Sequence, residues 1–148
     1  MAKRKTSKKT RHEPFNVLYR IQRGLSGYVS YLAACEMNST FSEYVLYEPV
    51  LRILTARNYS AQSEVPAPGI QKKAAGDPQR IDFVARKNDH YFALEVKWAK
   101  KSKVNVTRDH NKLTKFMESA NGARGFLCVF GRQSHIRTSP SIRTVLLR

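Results

Sequence analysis

Residues 15–36 place Val17, Leu18, Ile21, Leu25, Tyr28, Val29 and Leu32 at helical spacing. Gly24 and Gly27 fall inside that stretch, so the pattern allows one helix or a split one. Asn38-Ser39-Thr40 punctuates the chain, and Thr40 with Glu43 fits a capping box that would start a second helix. That helix is expected to reach about Arg57, with Tyr44, Tyr47, Leu51 and Leu54 on one face. Pro49 lies within it, which means either a kink or a true start near Glu48. Residues 59–65 read as a strand ending at Pro66, and residues 71–78 as a polar loop. Two alternating stretches, 80–86 and 90–99, flank the turn Lys87-Asn88-Asp89 and predict a hairpin. A Lys-rich loop follows, then a helix over 107–121 with Leu113, Phe116 and Met117 inside. The fully apolar run 125–131 fits a strand in a sheet interior, and residues 143–147 offer an edge strand.

The order helix, helix, strand, strand, strand, helix, strand predicts an α/β fold, a mixed β-sheet flanked by helices. The chain has 148 residues, the size of one domain, and at 41% apolar it can bury a core. Charge adds the first functional constraint. The formal net charge is +16, which predicts a polyanionic partner. Residues 1–13 carry six Lys/Arg against Glu13, a net of +5, and read as a disordered basic arm. The remaining +11 belongs to residues 14–148, read as a single domain whose body is itself basic. That distribution suits a groove tracking a phosphate backbone. No apolar run is long enough to span a bilayer, so nucleic acid is the expected partner, not a membrane. Cys35 and Cys128 sit in apolar surroundings and read as reduced core residues of an intracellular protein.

The candidate chemistry lies in the hairpin. In Phe92-Ala93-Leu94-Glu95-Val96-Lys97-Trp98, alternation puts Phe92, Leu94, Val96 and Trp98 on the core face, with Glu95 and Lys97 together on the other. In the preceding strand, Ile81 and Phe83 share one face and Asp82 takes the opposite one. The simplest hairpin register sets Asp82 beside Glu95. Two carboxylates side by side repel each other and lose hydration. A hard divalent cation removes that cost, and Mg²⁺ prefers oxygen ligands.

Asp82, twelve intervening residues, then Glu95-Val96-Lys97 resembles the signature of the PD-(D/E)xK nucleases, with the likeness covering roughly residues 41–131. The resemblance implies a restriction-endonuclease-like core and a metal-dependent nuclease, an endonuclease cutting DNA in preference to RNA. It implies Mg²⁺ or Mn²⁺ held by Asp82, Glu95 and the backbone carbonyl of Val96, with Lys97 positioning or activating the attacking water. The family often adds a glutamate from the helix before the sheet. Glu48, in Leu46-Tyr47-Glu48-Pro49, matches that role; Glu43 comes second, because the capping box already accounts for it. This sequence departs from the family in having Arg80-Ile81 before Asp82, with no adjacent proline. Lys100, Lys101 and Lys103 follow the motif and are expected to grip phosphates, as are Arg108, Lys112 and Lys115 on the polar side of the next helix. Cutting both strands of a duplex from one centre per chain makes a homodimer the expectation. Alanine at Asp82 or Glu95 is expected to abolish cleavage without unfolding the chain. Two readings compete: a non-catalytic nucleic-acid-binding module with a nuclease-like fold, and a basic structural protein whose arm carries the function.

Overall fold

The computed structural model describes residues 11–35, 43–69, 79–99 and 105–131. Helix α1 spans Phe15–Ala34, a 3-10 turn Glu43–Leu46 leads into α2 at Tyr47–Ala56, and α3 spans Thr107–Ser119. The strands are β1 (Ser60–Pro66), β2 (Arg80–Lys87), β3 (His90–Ala99) and β4 (Ala123–Gly131). They form one mixed sheet in the order β1-β2-β3-β4. The first three strands run antiparallel, and β4 pairs parallel to β3 after the crossover through α3. The expected α/β class and mixed sheet are therefore present.

Both sheet faces are covered. Val17, Ile21 and Leu25 of α1 and Val50 and Leu54 of α2 pack with Phe83, Phe92, Leu94, Phe126 and Phe130. Leu113 and Phe116 of α3 pack with Ala93 and Leu127 on the other face. Alternation along β3 and β4 sends successive side chains to the two layers, which is why β4 can be apolar from Gly125 onward.

Several expectations change. Glycine does not split α1. A Cβ at Gly24 would lie 2.8 Å from Ile53 Cδ1, so the missing side chain lets α1 and α2 approach closely. The second helix opens as a 3-10 turn, and Pro49 falls in the first turn of α2, where a missing N–H costs no helical bond. Ile81 and Phe83 do not share a face: Ile81 packs under α3 and Phe83 under α1 and α2. Cys35 is exposed, while Cys128 is buried as expected. Residues 1–10 of the expected arm lie outside the described residues, while 11–13 make contacts with the body. Glu13 accepts a hydrogen bond from Tyr59 at 2.7 Å, and the Arg11 guanidinium lies 3.6 Å from the Tyr19 ring centre. The capping residue Thr40, the loop 71–78 and the edge strand 143–147 lie outside the described residues.

Two glycines give opposite expectations. A Cβ at Gly125 would sit 3.0 Å from Leu113 Cβ and 3.5 Å from the Leu113 carbonyl. Gly125→Ala should wedge β4 from α3 and destabilise the fold by about 1–3 kcal/mol. Gly27 is exposed within α1, with nothing within 4 Å of such a Cβ. Gly27→Ala should stabilise by roughly 0.5–1 kcal/mol. Urea midpoints of the two variants check both signs.

Candidate active site

The ladder between β2 and β3 runs from Lys87↔His90 to Phe83↔Leu94. Beyond it, carboxylates take over the hydrogen bonding. The N–H of Val96 donates to Asp82 Oδ2 at 2.8 Å, and the N–H of Trp98 donates to Glu43 Oε1 at 2.9 Å. The N–H of Asp82 donates to Glu95 Oε1 at 3.3 Å. The two strands thus part at the acidic residues, and backbone donors fix the carboxylates where they part. Neighbouring β1 is distorted at the same level: Glu64, between the paired positions Ser63 and Val65, has φ +55°.

A cavity of about 460 Å³ opens at this point. Asp82, Glu95, Val96 and Lys97 line it from the hairpin. Glu43 and Tyr47 enter from the segment before the sheet, Glu64 from β1, and Arg108, Asp109 and Lys112 from α3. The hairpin residues singled out from the sequence do converge.

Glu48 does not join them. Its side chain is 65% exposed and pairs with Arg52 one turn along α2. Glu43 holds the corresponding place, because the 3-10 turn before α2 aims it at β3. Glu48→Ala should leave any activity within about twofold, while Glu43→Ala should lower it about tenfold or more, since outer positions around a metal site commonly weigh that much. Parallel rate measurements on the two variants decide between the acids.

Lys112 also differs from expectation. It does not lie on the solvent face with Arg108 and Lys115. It is buried, and its Nζ donates to Glu95 Oε2 at 2.7 Å and to the Arg80 carbonyl at 2.9 Å. Asp109, one turn earlier, is buried beside it. Asp109 Oδ2 makes no hydrogen bond but forms an ion pair with Lys97 Nζ at 3.2 Å. Asp109, Lys112, Leu113 and Phe116 form the buried stripe of α3, and their i, i+3, i+4, i+7 spacing was the available sequence signal. Lys97 is partly exposed on the cleft wall. Arg108 and Lys97 also line an adjoining groove that reaches Lys115. Lys100, Lys101 and Lys103 lie outside the described residues.

Burial shapes the electrostatics. Glu95 is 2% exposed. Loss of hydration, and then the Asp82 charge, push its carboxyl up to about 8 against the Lys112 ammonium. Burial also raises Asp82, with the Tyr47 hydroxyl and the Val96 N–H opposing it. The Tyr47 hydroxyl lies 2.6 Å from Asp82 Oδ1 and 2.8 Å from Glu64 Oε1. A phenol has one hydrogen to donate. It serves one carboxylate at a time.

Among the described residues, no three His, Cys, Asp or Glu side chains stand together as a metal cage. The donors offered by the hairpin are the half-buried Asp82 and the buried Glu95, with the Val96 backbone in the same cleft. That set suits Mg²⁺, which takes one or two carboxylates from a protein and keeps several waters. It does not resemble a closed zinc site.

Compared with models of known protein families, curated proteins and solved structures, the chain finds no match.

Proposed function

We propose that the chain is a metal-dependent nuclease of the PD-(D/E)xK type, an endonuclease that hydrolyses DNA phosphodiesters. The observation that carries the reading is the meeting of Asp82, Glu95 and Lys97 in one polar cleft where β2 and β3 part. Asp82, Glu95 and the Val96 carbonyl would hold Mg²⁺ or Mn²⁺, with Glu43 rather than Glu48 as the neighbouring acid. A divalent ion there supplies charge neutralisation at the transferring phosphate and a more acidic water.

The chain's own residues do the rest. The N–H groups of Val96 and Trp98 hold Asp82 and Glu43 in fixed rotamers, which keeps the site preorganised. Asp109 holds the Lys97 ammonium at the cleft wall. From there Lys97 orients the attacking water or meets charge developing on phosphate. Arg108 and Lys115 line the adjoining groove, where an anionic strand would run on toward α3. The net charge of +16 supports a long polyanionic substrate. One centre per chain cuts one strand at a time, so a homodimer is proposed for cleavage of duplexes. Among the described residues no helix is long and apolar enough to cross a membrane. The free thiols of Cys35 and Cys128 suit an intracellular setting.

One observation favours a second reading, a non-catalytic nucleic-acid-binding module. The Lys112 ammonium already occupies one oxygen of Glu95, as it would in a site that had exchanged metal for a fixed charge. Supercoiled plasmid incubated with Mg²⁺, Mn²⁺ or EDTA separates the two. The nuclease reading expects nicking by wild type with metal only, and little from Lys97→Ala. Salt-dependent binding without turnover, repeated on RNA and branched DNA, would establish the binding module instead.

A further inference from the structure

Among the described residues, Lys112 is the one buried cation, and the proposed mechanism leaves it without a task. Its stem crosses the α3 side of the sheet, and its ammonium has three hydrogens. One goes to the Arg80 carbonyl at 2.9 Å and one to Glu95 Oε2 at 2.7 Å. Asp109 Oδ1 stands 3.7 Å away, beyond hydrogen-bond reach. The ammonium is thus held between two carboxylates and spends itself on only one of them.

The arrangement has a physical reason. Asp82 and Glu95 lie close together in a desolvated cleft, and without a counter-charge their repulsion opposes folding. Where Glu95 is ionised, a lysine ammonium offsets that charge in the cation-free protein. It is also the wrong neighbour for a divalent ion, since a cation on the same Glu95 carboxylate would meet a like charge a few ångströms off.

Resting on the metal-site reading above, we propose that Lys112 is an internal counter-ion that gives up Glu95 when the site is loaded and passes to Asp109. Asp109 is built to receive it. Its Oδ2 is engaged by Lys97 at 3.2 Å, while its Oδ1 is the oxygen facing Lys112. Two oxygens serve two lysines, so the transfer leaves Lys97 in place. Asp109 and Lys112 are one turn apart on α3, so a rotamer change suffices and the helix need not move. In this account the site folds without metal and gains metal by exchange of charges.

The test is Mn²⁺ binding to the full chain without nucleic acid, by calorimetry at one pH and ionic strength. Lys112→Met removes the competing charge and should tighten Mn²⁺ by about fivefold or more. Lys112→Gln, which keeps a donor for the Arg80 carbonyl, should do the same if the methionine variant folds poorly. Asp109→Asn removes the destination and should weaken Mn²⁺ by a similar factor. The double variant Lys112→Met/Asp109→Asn should return to the affinity of Lys112→Met alone, because with Lys112 gone Asp109 has nothing to receive. A Kd within twofold of wild type for both Lys112 variants overturns the inference. So does a double variant as weak as Asp109→Asn. If Glu95→Gln abolishes Mn²⁺ binding while the Lys112 variants leave it unchanged, the metal site stands and only the exchange fails. If wild type binds no Mn²⁺, both fall together.

Discussion

Asp82→Asn and Glu95→Gln should each lower metal-dependent cleavage by on the order of 10³-fold with the fold retained, a loss of the size seen when one preorganised charge-stabilising group is removed. The choice of amides follows from the geometry. Asp82 accepts the Val96 N–H, so alanine there strands a part-buried donor, a cost of about 1–3 kcal/mol. Glu95 holds buried Lys112, and alanine would leave that ammonium without its closest partner, a cost of up to about 3–5 kcal/mol. The sequence-based expectation that alanine at either position spares the fold is therefore replaced. The amides keep shape and acceptors while removing charge. Cleavage rates read beside circular dichroism and urea midpoints separate chemistry from folding. An amide variant that cuts at the wild-type rate would remove that carboxylate from the mechanism.

The second large effect is on stability against pH. Glu95 has an ordinary carboxyl value of 4.5 when unfolded, and burial and Asp82 push it up to about 8 when folded. The folded state then binds the proton more tightly than the unfolded state. Its stabilising contribution is complete below 4.5, is lost as pH rises toward about 8, and changes no further above that. Asp82, also raised by burial, acts in the same direction. The metal-free protein should lose Tm across this window, by roughly 2–4 °C for each kcal/mol of stability lost in a domain of about 150 residues. A divalent cation binds the carboxylate, so its stabilising effect should grow with pH over the same range and release about one proton per ion at pH 6.5. Thermal melts with EDTA or Mg²⁺, and calorimetry in two buffers of different ionisation enthalpy, measure both. Glu95→Gln should flatten most of the slope. A flat wild-type profile, or a Mg²⁺ effect independent of pH, would remove Glu95 as the titrating ligand.

Much of the fold was legible from local pattern. Period-two alternation and a short turn predicted the hairpin, and the register that follows places Glu95 with its carboxylate on the Asp82 N–H. The apolar run at β4 and the helical stripe of α3 predicted a strand and helix on a mixed sheet. These features depend on neighbours within a turn or a pleat, so the sequence alone determined them, together with the basic charge.

Tertiary structure decided the surroundings of the acids. Glu43 and Glu48 both lie before the sheet, and the 3-10 turn determines which one faces it. Ile81 and Phe83 part where the β2–β3 ladder ends, next to Asp82, whose carboxylate takes the Val96 N–H on the other strand. Lys112 reads as surface in sequence because lysine is rarely buried without a partner. Its partner, Glu95, lies seventeen residues earlier on another element, and only packing α3 against the sheet brings the two charges together.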